Sequence, residues 1–506
     1  MVFRSFLGST GSLDQLQKGC EKKEKSNGNE GKRRMDNSTK KRSSGVVLKA
    51  GIWYTVSNFV FRGMAFITTP VFTRLLTKGE YGDFSNFASW MSILVIITSC
   101  DLQTSIIRSK LEFEDDIDSY IFSMLGLTTL ITAFFYVVFL VFDDFIFNSI
   151  LAIDKKYIHI MFFYLFCAPA YSMFVTKHRA FYKYRVFSIM TGISIALSLG
   201  TSLILVVMMN DKLMGRIIGQ YIPAAILSLI LYIFLAIKGK RIQIKYWKYA
   251  LVICIPLVPH LLSMNILSSS DRILIRRISG AEYAALFSIA HSCANIVSIL
   301  LDSMNKAWAP WFLDTLHSKD YSNVKPVTKP YFLLFVSIAG GIFLLGPEVI
   351  LILGGKAYLD AIFILPPLIM GCVVQFVYTM YVQVEFYEKK TIGVAIGTIS
   401  SAAINIVLNL IFIHAFGYRA AAYVTLIGYI CLLFYHYNYV KRLGYKDIFD
   451  RKLLFGTLLI LFLAMFGIMI LYNYTILRYI ITLVYGTVIL FLIFKQKGII
   501  LSILRK

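Results

Sequence analysis

The sequence predicts an all-α integral membrane protein of about fourteen transmembrane helices, built as two six-helix bundles followed by two further helices. Composition, recurring apolar runs and an internal repeat support this prediction. The 506 residues are 58% hydrophobic and only 16% charged, whereas a soluble domain has about 45–50% apolar and about 25% charged residues. Because such a surplus would leave large apolar patches in water, a lipid environment is expected.

Apolar runs of about 20 residues, long enough to cross a bilayer as helices, recur along the chain. They are longer and more continuously apolar than the roughly ten-residue alternating strands of a membrane barrel. Arg62 interrupts the first run, and Pro256 and Pro259 are expected to break the seventh. The candidate spans are 50–71, 84–101, 120–142, 157–176, 186–208, 217–237, 250–270, 284–304, 331–353, 362–383, 393–415, 420–440, 453–472 and 476–494.

The positive charge follows the order of the spans. The formal net charge is +23, and most lysines and arginines follow even-numbered spans, as in 177–185, 238–248 and 441–452. By the positive-inside rule these connections are cytoplasmic. Since the number of spans is even, both termini are predicted to be cytoplasmic. The dispersal of the charge over connections argues against a nucleic-acid partner.

One connection between spans has a similar sequence at two places in the chain. The stretches FTRLLTKGEYGDFSN at 72–86 and IRRISGAEYAALFS at 275–288 share an Arg and a Glu-Tyr pair at an offset of 202 residues. The same offset relates spans one to six with spans seven to twelve. Each copy has an even number of spans, so both insert with the same orientation, as a parallel repeat. Two such bundles can rock about a central site, which favours a transporter over a scaffold.

The repeat defines the predicted domains. They are an N-terminal bundle, a cytoplasmic linker, a C-terminal bundle, two extra helices and a cytoplasmic tail, at 47–237, 238–249, 250–441, 453–494 and 495–506. Residues 1–46 are polar and basic and are predicted to be disordered. Either they form a cytoplasmic tail or translation starts at Met35. The seven cysteines form no Cys-x-x-Cys pair, so neither a disulfide framework nor a metal site is expected.

Polar residues inside the spans are the candidate site residues, because they are costly in lipid and usually face a cavity or a partner. Three spans carry them at helical spacing on one face. In span one they are Thr55, Asn58, Arg62 and Thr69; in span eight Ser288, His291, Asn295, Ser298, Asp302 and Asn305; in span eleven Thr398, Ser401, Asn405 and Asn409. Packing between helices is the alternative interpretation of each stripe.

A cavity lined by Arg62, with Arg272 and Arg276, would be cationic. Guanidinium groups pair bidentately with phosphate oxygens, so such a cavity suits an anionic ligand. Glu385, at the end of span ten, is expected at the cytoplasmic rim. The protonatable candidates for ion coupling are Asp101, His260, Asp271 and Asp302, together with His291.

Four stretches resemble bacterial polysaccharide flippases of the Wzx type. They are WYTVSNFVFRGMAFITTPVFTRLLTKGEYGDFSNFASW, FYKYR, LLGPEVILILGGKAYLDAIFILPPL and YVQVEFYEKKTIGVAIGTISSAAINIVLNLIFIHAFGYRAAAYVTLIGY, all within residues 47–440. That family belongs to the multidrug/oligosaccharidyl-lipid/polysaccharide exporter superfamily. The resemblance implies two MATE-like six-helix bundles around a central cavity, which is cationic in this family, with Arg62 as the best local match.

The resemblance also implies a function. We expect export of an undecaprenyl-pyrophosphate-linked oligosaccharide from the inner to the outer leaflet of the bacterial cytoplasmic membrane, by alternating access. Arg62 is expected to hold the pyrophosphate, and the stripes of spans eight and eleven to face the sugars. No cofactor is expected beyond a proton or sodium gradient. The product would serve O-antigen, capsule or exopolysaccharide synthesis, with a polymerase and glycosyltransferases as partners.

Other functions stay open from the sequence. A multidrug exporter or a lipid II exporter of the same superfamily is one alternative, although a drug exporter should favour an acidic, apolar cavity. A polysaccharide polymerase or ligase is the alternative among enzymes. Such enzymes normally carry a large external loop, whereas the longest predicted external connection is 143–156. The sequence contains no Gly-rich phosphate loop, nucleophile motif or metal-ligand spacing.

Overall fold

The computed structural model describes residues 63–64, 66–181 and 183–495, which form helices and contain no β-strand. The helices are α1 (66–75 in its continuous part), α2 (Lys78–Ser99), α3 (Ser105–Glu112), α4 (Ile117–Val141), α5 (Ile158–Ala180), α6 (Tyr184–Met208), α7 (Lys212–Gly239), α8 (Ile244–Cys254), α9 (Val258–Ile278), α10 (Ala281–Ser318), α11 (Val324–Leu344), α12 (Gly346–Gly354), α13 (Leu365–Tyr387), α14 (Thr391–Phe416), α15 (Ala420–Arg442), α16 (Arg451–Leu471) and α17 (Thr475–Lys495).

The helices follow the predicted spans. Within the described residues ten are long and apolar enough to cross a membrane, or twelve if two bent pairs each count as one span. Helix α17 adds a shorter apolar segment, Thr475–Phe491. Most of predicted span one lies outside the described residues. The all-α membrane fold is therefore confirmed, and the helices are consistent with the predicted fourteen spans.

Both bent pairs have a local cause. Helix α2 begins with a capping box, in which Thr77 Oγ1 accepts from the Glu80 amide and the Glu80 carboxylate accepts from the Thr77 amide. It ends where Cys100 and Asp101 take positive φ angles of 45° and 50°, and the chain turns by 58° into α3. Helices α8 and α9 meet at 54°. Pro256 lies in that break, which confirms the predicted interruption of span seven.

Two helices extend beyond their predicted ends. Helix α8 begins at Ile244, so part of the predicted linker 238–249 is helical. Helix α10 has 38 residues, a length of about 57 Å at 1.5 Å per residue. Because a hydrocarbon core is about 30 Å thick, α10 must project from the membrane. An apolar stretch of sequence predicts which part of a helix crosses the lipid. It does not predict where the backbone hydrogen bonds of the helix end.

The helices pack in two groups. Helix α7 packs against α4, α5 and α6, whereas α9 packs against α14, and α15 packs against α13 and α14. Helix α2 lies between the groups and makes its main contacts with α9 and α10. Exposed aliphatic side chains cover the outward faces of α6, α7, α16 and α17, as expected for surfaces that face lipid chains.

The last two helices are attached to the second group by polar anchors. Arg478 of α17 donates two hydrogen bonds of 2.5 Å to the Glu348 carboxylate. Tyr485 Oη donates to the Ser337 carbonyl at 2.8 Å, and Tyr472 Oη to the Phe343 carbonyl at 2.7 Å. Gly340 and Gly346 leave room for these two hydroxyls, since a Cβ at either position would overlap them.

Candidate functional site

The two copies of the repeated connection lie against each other. Arg276 of the second copy forms an ion pair with Asp83 of the first. Ser85 and Ser288 share a hydrogen bond of 2.5 Å, and α2 and α10 approach so closely that a Cβ at Gly82 would overlap the Ala281 carbonyl. This junction joins the two helix groups at the end of the molecule where the connections after spans one and seven lie.

Further contacts of α1 reinforce this junction. Thr73 Oγ1 donates to the Leu353 carbonyl at 2.7 Å, and Arg74 donates to the Ile352 carbonyl at 3.3 Å. Ser92, two turns along α2 from Ser85, donates to Asn265 at 2.9 Å. These bonds link α1 and α2 to α9 and α12, so separating the helix groups at this end must break them.

Two arginines, Arg216 and Arg272, lie beside the junction and are called the Arg216 cluster here. Arg216, the more buried of the two, was not predicted. Arg216, at the start of α7, is only 8% exposed. Its guanidinium lies over the rings of Phe72, at 3.6 Å, and Phe84, at 4.4 Å, a cation–π arrangement. It donates to Gln220 at 3.2 Å, and its Nε is buried without a hydrogen-bond partner among the described residues.

Tyr81 links Arg216 to four predicted cavity residues through a series of neighbouring side chains. Tyr81 lies close to Thr69 and within electrostatic range of both Arg216 and Arg272. His291 of α10 lies in the field of Arg272, and Asn295 lies 3.4 Å from its ring nitrogen. Thr69 and Arg272 thus lie beside the Tyr81 hydroxyl, and His291 and Asn295 follow on the side of Arg272.

Arg272 is held in place by its own helix. Its Nη2 donates to Ser269 Oγ at 3.1 Å and to the Ser268 carbonyl at 3.2 Å. Its Nε is buried without a hydrogen-bond partner among the described residues. Both arginines thus keep an unused donor at Nε.

Arg276 was predicted to line a cationic cavity together with Arg62 and Arg272, but it is not a free cation. Its charge is compensated by Asp83. The ion pair borders a cleft of about 260 Å³ at the same end of the molecule, which also contains Glu80, Lys156 and Asp211. Outside the spans, the hydrogen bond from Lys156 lowers the pKa of the Asp211 carboxyl. With Asp154 also in its lining, acidic groups outnumber basic groups by four to two, so the cleft lacks the cationic character of the Arg216 cluster.

The polar stripe of α14 does not line a cavity either. Asn405 and Asn409 are fully buried. Asn409 Nδ2 and Thr425 Oγ1 donate to the two oxygens of Asp271, at 2.6 Å and 2.5 Å, and Ser270 Oγ donates to Asn405 at 2.9 Å. The periodicity predicted the polar face correctly, but the face meets α9 and α15 rather than sugars.

The stripe of α10 divides between packing and cavity. Ser288 meets α2, while Ser298 contacts Cys372 at 3.3 Å and Asn305 donates to Thr379 at 3.1 Å, both on α13. His291 and Asn295 remain on the side of Arg272. Asp302 lies on α10, half-buried. The cavity face predicted for this helix therefore stays a prediction for the turn that carries His291 and Asn295.

The remaining predicted residues lie apart from the arginine cluster. Asp101, at the end of α2, accepts hydrogen bonds from Gln103 and Thr104. His260 contacts Thr398 Oγ1 at 2.9 Å. Asn58 and Arg62 lie outside the described residues. Glu385, expected at the rim, is instead fully buried and bonded to His436.

Comparison with known proteins assigns the family. Residues 47–316 match the model of a family described as polysaccharide biosynthesis protein. The match covers more than half of the chain, so the chain belongs to that family. No curated protein sequence matches it.

Solved structures share the fold at low sequence identity. The lipid II flippase MurJ in an inward closed conformation superposes with a TM-score of 0.66 at 16% identity, covering 89% of this chain and all of MurJ. An inward-facing MATE multidrug resistance transporter of the MOP superfamily gives a TM-score of 0.58 at 14% identity, covering 76% of this chain and 95% of the transporter. The chain thus has the fold of MOP-superfamily transporters.

Proposed function

We propose that this protein is a flippase that moves an undecaprenyl-pyrophosphate-linked oligosaccharide from the inner to the outer leaflet of the bacterial cytoplasmic membrane. The family and the fold support transport in polysaccharide biosynthesis. The pathway would be O-antigen, capsule or exopolysaccharide synthesis, alongside a polymerase and glycosyltransferases. Both termini would face the cytoplasm, as the distribution of Lys and Arg indicates.

The observation that carries this proposal is the pair of buried arginines with unused donors. Arg216 and Arg272 each have a buried Nε without a hydrogen-bond partner among the described residues. A guanidinium enclosed in this way is costly unless an anion pairs with it, and its planar fork matches phosphate oxygens. The pyrophosphate would bind there, with Tyr81, His291 and Asn295 beside the first sugar. Arg62 would be a further ligand.

The physical barrier is the polar headgroup. Moving sugars and pyrophosphate through hydrocarbon would strip hydrogen bonds, each at a cost of several kcal/mol. A polar cavity between the two helix groups would replace that hydration while the polyprenyl tail stays in lipid. The junction around Arg276 and Asp83 would close the outer side while the headgroup enters from the inner side.

Asp271 is the best candidate to bind the coupling ion. It is a carboxylate only 2% exposed, ligated by side-chain donors and not paired with a basic residue among the ion pairs of the described residues. Arg272 lies within its electrostatic range, and an intramembrane carboxylate is by default a candidate ion site. Binding there would change the packing of α9 against α14 and α15, and with it the position of Arg272, the next residue.

The test uses a strain that lacks the gene and carries plasmid-borne variants. Arg216→Ala and Arg272→Ala should each lower surface glycan and accumulate lipid-linked oligosaccharide inside, by about 10- to 100-fold, since a hydrogen bond to a charged group contributes about 1.5–3 kcal/mol. Arg216→Lys should be intermediate, because lysine lacks the fork and the stacking plane. Exposed Arg277 supplies the matched control, Arg277→Ala.

Membrane abundance of each variant, measured by fluorescence size exclusion, separates lost function from lost folding. Normal glycan with Arg216→Ala and Arg272→Ala present at full abundance would contradict the proposal. A lipid II exporter is the second candidate, favoured by the similarity to MurJ. It predicts that the deletion strain accumulates lipid II rather than a pathway-specific oligosaccharide, which mass spectrometry of the extracted lipids distinguishes.

A further inference from the structure

One face of α14 is polar or free of side chains along most of its length. The positions are Gly393, Gly397, Thr398, Ser401, Asn405 and Asn409. A rise of 1.5 Å per residue places the first and last of them about 24 Å apart, most of the thickness of a hydrocarbon core of about 30 Å. Asp271 and its ligands occupy the far end of this face.

A second buried acid lies at the near end. Glu385 of α13 and His436 of α15 are both 0% exposed, and Glu385 Oε1 lies 2.6 Å from His436 Nδ1. The other atom of each group, Glu385 Oε2 and His436 Nε2, is buried with no hydrogen-bond partner among the described residues. Leaving a buried polar atom unpaired costs about 1–3 kcal/mol, so two in one pair call for an explanation.

Both unpaired atoms face the glycines of α14. A Cβ at Gly393 would lie 3.2 Å from Glu385 Oε2, and one at Gly397 would lie 3.3 Å from His436 Nε2. Without side chains at Gly393 and Gly397, these two atoms lie close to the backbone of α14. Thr398, the next residue, bonds half-buried His260 of α9 at 2.9 Å.

The surroundings of the pair are aromatic. Tyr378 of α13 stacks on the His436 ring with centroids 5.7 Å apart, and Tyr435 of α15 meets that ring edge-on at 5.1 Å. The titratable or charged groups that face the pair or form the next layer are Tyr378 and Tyr381 of α13, Tyr435, Tyr437 and Tyr439 of α15, His260 of α9 through Thr398, and Arg451 of α16 through Tyr437. Arg451 is itself paired with Asp447.

We propose that Glu385 and His436 form a proton-binding site separate from Asp271, at the opposite end of the polar face of α14. When His436 donates Nδ1–H to the ionised carboxylate, its Nε2 lone pair is free. One proton taken up on Nε2 converts the pair from a charge of −1 to a neutral ion pair. Because the site is fully enclosed, that change removes a net charge from a medium of low dielectric constant.

The coupling role of this site rests on the proposed function, but its chemistry does not. The polar face of α14 would connect the pair with Asp271, so that the second bundle responds to protons at both ends. The ion that drives the transporter would then be the proton rather than sodium.

Infrared titration of the full-length protein in lipid vesicles tests the site without any substrate. The pH is lowered from about 8 to about 5 in choline salt, and histidine-ring and carboxylate bands are recorded. The wild-type spectrum minus that of H436Q should show one coupled ring and carboxylate change, which separates this pair from the other six histidines and the remaining carboxylates. H436Q should lose the ring band, and E385Q should lose the carboxylate band and displace the ring band. D271N should retain both.

Glu388 is the matched control, since it lies three residues from Glu385 and bonds the Tyr445 hydroxyl at 2.6 Å. E388Q should leave both bands unchanged. Gly397→Ala keeps both titratable groups but crowds Nε2, so it should shift the titration midpoint. This variant tests the site even if E385Q does not fold. Retention of the bands in E385Q and H436Q, or an unshifted midpoint in Gly397→Ala, would overturn the proposal.

The two proposals can fail separately. If Arg216→Ala transports normally while the coupled bands behave as expected, the anion site is wrong and the proton site stands. If the bands are absent while Arg216→Ala abolishes transport, the reverse holds. Replacing choline by sodium at constant pH should not change the bands; displacement of the coupled bands by sodium would also overturn the proposal.

Discussion

A guanidinium in an apolar protein interior needs compensation, and two aromatic faces supply part of it to Arg216, whose Nε stays unpaired among the described residues. Phe72 comes from α1 and Phe84 from α2, so the stacking exists only after three helices assemble. In the sequence Arg216 lies one residue before predicted span 217–237 and looked like an ordinary flank. Its signal was a single charge next to a span, which is common at membrane boundaries.

The spacing within one helix predicted which face carries polar side chains. It did not predict which residues those side chains contact. Spacing identified the faces that carry His291, Asn295, Asn405 and Asn409. Whether a face meets a cavity or another helix depends on the neighbours, which a single sequence does not locate. Asp271 was selected as a protonatable group, and the structure shows the ligands that the spacing within one helix could not reveal.

Asp271→Asn tests whether Asp271 is the residue that binds the coupling ion. The amide has the shape of the carboxylate but cannot ionise, so transport should lose its dependence on an imposed ion gradient. One amide hydrogen would face a donor, and the free energy of unfolding should fall by about 1–3 kcal/mol. Vesicle transport with and without a gradient, together with the melting temperature, measures both effects.

Exposed Asp320→Asn is the corresponding control and should change neither quantity. Gradient-dependent transport that persists in Asp271→Asn would show that the coupling ion binds elsewhere.

Helices were easier to predict than helix ends. The apolar length of α13 and α14 placed both spans, but α10 continues well past its predicted end at 304. Its second half packs Trp308 and Phe312 beside Phe449, contacts made by a segment outside the apolar run. Such tertiary contacts stabilise a helix where hydropathy alone gives no indication.

The attachment of α17 can be weakened at one residue. Gly340→Leu should displace the Tyr485 hydroxyl and lower the free energy of unfolding by about 1–3 kcal/mol, the usual cost of overpacking. Gly467→Leu is the matched control, since nothing lies within 4 Å of a Cβ there. Melting temperature and limited proteolysis between α16 and α17 measure the effect.

Equal melting temperatures and equal cleavage of Gly340→Leu and Gly467→Leu would indicate that α17 is held without the Tyr485 contact.

At the scale of the whole molecule, the repeated connection has a structural role. Its two copies meet across the boundary of the helix groups, through Asp83 with Arg276 and through Ser85 with Ser288. The offset of 202 residues was visible in the sequence. That the copies would touch was not, because a repeat predicts similar shapes rather than their contact.

Locking this junction should stop transport if it must open. In a background without native cysteines, Ser85→Cys with Ser288→Cys should form a disulfide, because the native hydroxyls are 2.5 Å apart. Oxidised protein should be inactive in vesicle transport, and a reductant should restore activity. The two single variants should be insensitive to oxidation. Full activity of the cross-linked protein would mean that the junction stays closed throughout the cycle.

The positions that correspond to the buried network around Asp271 in the N-terminal half carry residues of different chemistry. At the repeat offset, Asp271, Asn409 and Thr425 correspond to Thr69, Val207 and Pro223. The acid is therefore present in one half of the predicted repeat and absent from the corresponding position of the other. Under the coupling proposed for Asp271, the second half would respond to the ion and the first half would follow, and this difference would give the transport cycle its direction.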